Sequence, residues 1–113
     1  MENSLFINYL GSSPKIRILD FLLTNREIDF SITDIATNSG VGRATLYRLW
    51  DEMVKDKVIM PTRIIGKAKL FKLNTNKPEV KELMKLYDTL ILQSLENKKK
   101  ETAKSKRVVV VGG

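Results

Sequence analysis

The 113-residue sequence contains no cysteine and no histidine. Without cysteine there is neither a disulfide nor a thiol redox sensor. Without both residues, the usual zinc ligands and the commonest general base are missing. A carboxylate-only magnesium or calcium site remains open to such a chain, but no D-x-D-x-D-G type spacing occurs. The composition argues against an enzyme, and no cofactor or metal is expected. Long apolar runs are also lacking: none approaches the roughly 20 residues that span a bilayer. The opening MENSLFINYL carries an acid where a secretory leader would be positive, and no A-x-A-like cleavage site follows. The sequence reads as a soluble cytoplasmic protein with no membrane partner and no small-molecule ligand evident.

What is present is an ordinary globular content, 42% hydrophobic, in about one domain's length. The formal net charge is +7, and it is unevenly placed. Residues 42–77 carry nine Lys/Arg against three Asp/Glu, and residues 97–113 carry six against one. The two remaining stretches, 1–41 and 78–96, are each net acidic. Charge this local favours a polyanionic partner, nucleic acid first.

Hydrophobic spacing and turn chemistry divide the chain. Residues 1–13 form an N-terminal arm or short helix around LFINYL. Ser13-Pro14 is a helix start, with serine as the cap and proline in the first turn, where its missing N–H costs nothing. Ile16, Ile18, Leu19, Leu22 and Leu23 then recur at helical spacing. Ser31, with Asp34 three later, resembles a capping box. The short helix it opens stops at Gly40, which can take a left-handed backbone. A third helix runs from about Gly42 to Asp56, with Leu46, Leu49, Trp50 and Met53 on one side. Residues 58–65 and 70–73 read as two strands of a hairpin turning at Gly66–Lys69, and Pro61 implies an edge position for the first. Pro78 opens a fourth helix to about Glu96. Residues 97–113 read as a basic disordered tail ending in VVVVGG, a sticky end without other physical account.

The stretch SITDIATNSGVGRATLYRLW, residues 31–50, meets the demands of two helices crossing at roughly 90–120° through a tight turn. Ala36 is the small residue where the helices approach. Gly40 is the turn residue. Ile32 and Ile35 face Val41, Leu46 and Leu49 behind the crossing. This spacing resembles the helix-turn-helix consensus, and with the hairpin after it the chain resembles the winged form over residues 14–77. The core is similar to small winged helix-turn-helix regulators of archaea, their plasmids and viruses, and to PadR-like and MarR-like regulators. The fold implied is mainly α with a small β-hairpin, a winged helix-turn-helix domain followed by a C-terminal dimerisation helix at 78–96.

With the apolar residues of the third helix facing inward, Arg43, Ala44, Tyr47, Arg48 and Asp51 share its outer face. The resemblance implies that the N-terminal part of this face reads the major groove, with Gly42, Arg43, Ala44, Thr45, Tyr47 and Arg48 as the contacts. Arginine matches guanine O6 and N7, and phosphate equally. Gly42 lets the helix start approach the backbone, where its free N–H groups favour an anion. The wing residues implied are Arg63, Lys67 and Lys69, with Lys72 either joining them or merely alternating outward. Each cation is otherwise a solvated surface charge, and a charged hairpin tip also resists edge pairing. Homodimerisation is implied through the fourth helix, on Leu83, Leu86, Tyr87, Leu90 and Ile91, with residues 5–10 as a contributor. The alternative is a helix that only closes its own core.

The expected partners are double-stranded DNA and a second copy of the chain. The leading reading is a sequence-specific, nucleoid-associated transcriptional regulator acting as a repressor. A DNA-coating architectural or plasmid-partition protein, favoured by the basic tail, stands beside it. So does a winged helix that binds protein within a transcription assembly, against which Arg43 and Arg48 speak. ArsR-like metal sensing and peroxide sensing of the MarR kind both need residues this chain lacks.

Overall fold

A computed structural model describes residues 4–112, with side chains through Lys99. Eight elements follow one another: α1 (Leu5–Leu10), α2 (Pro14–Thr24), β1 (Phe30–Ser31), α3 (Ile32–Ser39), α4 (Arg43–Lys55), β2 (Ile59–Ile65), β3 (Ala68–Leu73) and α5 (Pro78–Gly112). The helix starts follow from serine. The Ser4, Ser13 and Ser31 hydroxyls accept from the backbone N–H groups of Ile7, Ile16 and Asp34, each satisfying one donor that has no partner within the helix. Expected arm or short helix, the segment after Ser4 is a helix.

Gly40 ends α3 in the left-handed region, at φ 69° and ψ 26°. Its N–H donates to the Thr37 carbonyl, and that of Val41 to Ala36, so two of the last carbonyls of α3 are satisfied within the turn. A Cβ built on Gly40 would also lie 2.7 Å from the Arg17 guanidinium. The left-handed backbone therefore selects glycine where α3 turns into α4, since the Arg17 side-chain end could move aside for a Cβ.

The strands form a three-stranded antiparallel sheet in the order β1-β3-β2 rather than a bare hairpin. Phe30 pairs with Phe71 and Ser31 with Leu70, so the connector between α2 and α3 supplies the third strand. β2 is an edge, which accommodates Pro61. The turn is tighter than the four residues 66–69, since Ile65 already pairs with Ala68. Gly66 takes positive φ and Lys67 does not, the pattern of a type II′ turn that suits the twist of a hairpin.

One core joins these layers. Ile18, Leu22 and Leu23 of α2, Ile35 of α3, Leu46 and Met53 of α4, Ile59 and Leu73 of the sheet, and Val80 of α5 are all buried. Removing each such side chain from water contributes about 1.5–3 kcal/mol. Trp50 meets Phe71 edge-on, with ring centroids 4.9 Å apart at 88°, and fixes α4 against the sheet.

α5 does not stop at Glu96, and the expected disordered tail is instead its continuation to Gly112. The physical reason lies in residues 97–107, which contain no Gly or Pro and are rich in lysine and other good helix formers. A helix already nucleated on the core extends through them at little cost. Residues 1–3 of the expected arm lie outside the described residues, as do Gly113 and the side chains of the valine run.

Candidate nucleic-acid interface

α4 displays the residues singled out on its outer face. Gly42, Arg43, Ala44, Tyr47 and Arg48 are exposed, and Thr45 is half-buried. Leu46, Trp50 and Met53 are buried on the opposite side, with Leu49 half-buried. The Arg43 guanidinium reaches back to the Thr33 hydroxyl of α3 at 3.1 Å, and that of Arg48 lies 3.5 Å from the Thr45 hydroxyl. Among the described residues neither arginine has an acidic partner, so both retain charge for an anion.

The helix begins without a side-chain cap. Gly42 is the N-cap, and no side chain accepts from the first N–H groups. Its φ of −63° is open to any residue, and nothing lies within 4 Å of where a Cβ would stand. Gly42→Asp is therefore expected to stabilise the fold by a few tenths of a kcal/mol. Under the DNA-binding function proposed below, it would weaken binding about tenfold or more, by placing a carboxylate where a phosphate would sit. Under the same function, Gly42→Ser should keep the stability gain with much less loss of binding. Thermal melts beside filter binding test both expectations.

The wing is more selective than its composition implies. Arg63 is not a free cation: its guanidinium pairs with Asp29 at 3.0 Å, and Thr62 donates to the same carboxylate at 2.6 Å. The Arg63 guanidinium, then the Thr62 hydroxyl, holds the Asp29 carboxyl below the usual carboxylate range, and Asp29 raises Arg63 in return. Lys72 approaches Glu27 at 3.8 Å. That leaves Lys67 and Lys69 as the wing cations without an acidic partner among the described residues. Lys69 lies 5.7 Å over the Phe71 ring.

Because Asp29 is depressed in the fold, its contribution to stability is present above the unfolded value near 3.9 and is lost as pH falls through the lower folded value. Asp29→Asn should thus lower the melting temperature at pH 7, and the gap from wild type should close below about pH 4. Under the DNA-binding function proposed below, the freed Arg63 should at neutral pH steepen the log–log salt dependence of binding by up to about 0.9.

The surface expected for a second copy needs correction. Tyr87 and Leu90 belong to the protomer's own core. The Tyr87 ring lies 5.8 Å from Phe6, its hydroxyl lies 2.6 Å from that of Thr24, and Arg26 stacks over it at 5.7 Å. Arg26 also pairs with Asp88 at 2.7 Å, tying α5 to the end of α2. Leu83 and Leu86 are half-buried against the core. Of the five expected residues only Ile91 is exposed, joined by Leu92 and Leu95 of α5 and by Leu5 and Tyr9 of α1. Helical periodicity shows that α5 has two apolar stripes, but not which of them turns inward.

No helix among the described residues is long and apolar enough to cross a membrane. Nor, among those residues, does any cluster of acids stand ready to hold a metal ion.

No family model matches the sequence, and no curated protein matches it. Solved structures do match in fold. ZitR of Lactococcus lactis, a mutant in apo form, superposes with a TM-score of 0.58 at 14% identity, over 80% of this chain and 68% of that one. MepR, a transcription regulator of the Staphylococcus aureus multidrug efflux pump MepA, gives a TM-score of 0.58 at 14% identity over 94% and 82%. The adhesin competence repressor AdcR of Streptococcus pyogenes gives 0.56 at 15% over 84% and 72%. The fold is the winged helix-turn-helix of such regulators.

Proposed function

We propose that this chain is a site-specific double-stranded DNA-binding transcriptional regulator, a repressor that works as a homodimer. The observation that carries the reading is the outer face of α4. Two arginines without acidic partners among the described residues and an exposed tyrosine stand beside an uncapped helix start, on a helix whose Leu46, Trp50 and Met53 are buried in the core. Arg43 and Arg48 serve base edges or phosphates, Tyr47 and Thr45 donate to phosphate, and Lys67 and Lys69 of the wing reach the flanking backbone. Repression follows from occupancy, since a bound protein blocks polymerase access. The likeness to MepR and AdcR supports the reading at the level of fold. The exposed apolar residues of α1 and α5 support the dimer, as they leave an unpartnered face around Ile91, Leu92 and Leu95.

A DNA-coating role is favoured by a different observation: the basic segment 97–107 is carried on a helix that extends the body. One experiment separates the two. The full chain and a chain ending at Glu96 are titrated against genomic fragments in mobility-shift assays over a salt series. A preference of about a thousandfold for one fragment, kept by the truncation, supports the site-specific regulator. Equal binding to all fragments, mostly lost on truncation, supports coating and overturns specificity. Absence of any binding at low salt overturns both. Sedimentation of wild type and Leu92→Glu/Leu95→Glu tests the dimer, with a shift to monomer expected of the variant.

A further inference from the structure

Two isoleucines at the tip of the wing, Ile64 and Ile65, are left out of the core, at 68% and 54% exposure. Between the pairs Pro61–Phe71 and Ile64–Lys69, β2 contains two residues and β3 only one, a β-bulge. Directly paired residues share a face of the sheet. The bulge therefore moves Ile64 onto the face of Phe71, the face that meets Trp50 of α4, whereas a regular ladder would have put it on the other side. Ile65, paired with Ala68, lies on the opposite face. The tip is thus apolar on both faces.

The bulged residues are Thr62 and Arg63, and both hydrogen-bond the same carboxylate, that of Asp29. The base of the tip is in this way clamped to the connector before β1, which holds the isoleucines at a fixed angle to the body. Along the hairpin itself the charge has one sign, six Lys/Arg and no Asp/Glu in residues 57–78, and the nearby acids Asp29 and Glu27 are paired with Arg63 and Lys72. A flat protein surface would meet only one face of such a tip. An occupant apolar on both sides and negative at its lip fits both faces at once. The DNA minor groove has deoxyribose walls and phosphates along its edges, and a base step opened from that side offers apolar stacking faces.

We infer that Ile64 and Ile65 form an apolar wedge that enters the minor groove, opens a base step and bends the duplex, with Lys67 and Lys69 on the bordering phosphates. The inference rests on the DNA-binding reading above and adds a deformation to it. The wedge gives the chain a preference for steps that unstack easily, at positions no side chain reads by hydrogen bonding.

The test uses the full chain and the duplex it enriches from a random pool, end-labelled for energy transfer and carrying 2-aminopurine at candidate steps. Wild type should shorten the end-to-end distance and raise 2-aminopurine fluorescence. Ile64→Ser/Ile65→Ser, both at exposed positions, should melt like wild type, abolish both signals, and weaken binding about tenfold with an unchanged salt slope. Ile64→Met/Ile65→Met should keep the bend, because methionine can still wedge. Lys67→Ala/Lys69→Ala should flatten the salt slope by about 1.8. A bend that survives in the serine pair overturns the wedge. If that pair also sediments as a smaller species, the tip seats on protein instead. Tight binding by wild type without any bend overturns the wedge but leaves the regulator standing, whereas failure to enrich or retain any duplex overturns both.

Discussion

Arg43→Ala combined with Arg48→Ala is expected to reduce affinity for the preferred site by a factor of about 30 to more than 10,000, since each well-made arginine–base contact discriminates by about 1–3 kcal/mol. Binding to competitor DNA should fall far less, because there the arginines supply only phosphate contacts. The protein should meanwhile melt within a degree or two of wild type. Both side chains are exposed, and their bonds to Thr33 and Thr45 are surface contacts between neighbouring turns or helices. Lysine replacements discriminate further: they keep the charge and much of the competitor binding, but lack the planar fork that reads guanine. Specific affinity that survives the double alanine variant would place base reading elsewhere.

Trp50→Ala is expected to destabilise the fold by about 3–5 kcal/mol, a large share of the roughly 5–15 kcal/mol that a domain of this kind possesses. Trp50 is only 4% exposed, and its ring forms the edge-on contact with Phe71 that ties α4 to the sheet. The resulting cavity lies between α4 and the sheet, which cannot collapse onto each other without moving the wing. Calorimetry should show the melting temperature falling by about 10 °C or more, while Trp50→Phe, which keeps an aromatic edge, should lose less than half as much. DNA binding measured well below the new melting point should weaken too, because α4 and the wing would no longer hold one relative orientation. A loss under about 1 kcal/mol would show that Trp50 does not lock the two elements.

The parts of this structure set by short-range chemistry can be read from the amino acids. Ser13 with Pro14, Ser31 with Asp34, and Gly40 act within a few residues of where they stand, so the helix limits and the turn follow from them. The outer face of α4 is equally local, since 3.6-residue periodicity separates Arg43, Tyr47 and Arg48 from Leu46, Trp50 and Met53. What could not be read depends on partners far along the chain. β1 is two residues long and is a strand only because Phe30 meets Phe71. Arg63 is neutralised by an acid 34 positions earlier. Tyr87 is claimed by Phe6 of α1 and Thr24 of α2, and Leu90 is buried in the same core, so neither is free for an interface. The helical continuation past Glu96 was hidden by a composition that suits a solvated tail and a helix alike.

The pairing of β1 with β3 also orders events during folding. β2 and β3 join through a two-residue turn and can pair within microseconds, independently of the rest. Phe30 and Phe71 are 41 positions apart, and α3, α4 and β2 all lie between them. Closing that loop is rewarded only once the intervening helices are packed, so the third strand should be added late and the Asp29 clamp with it. The wing therefore has a second, cheaper way to come loose than global unfolding: loss of β1 alone, with the two-stranded hairpin still intact. Amide exchange of Phe30 and Ser31 against that of the β2–β3 ladder would expose this hierarchy as two opening free energies within a single three-stranded sheet.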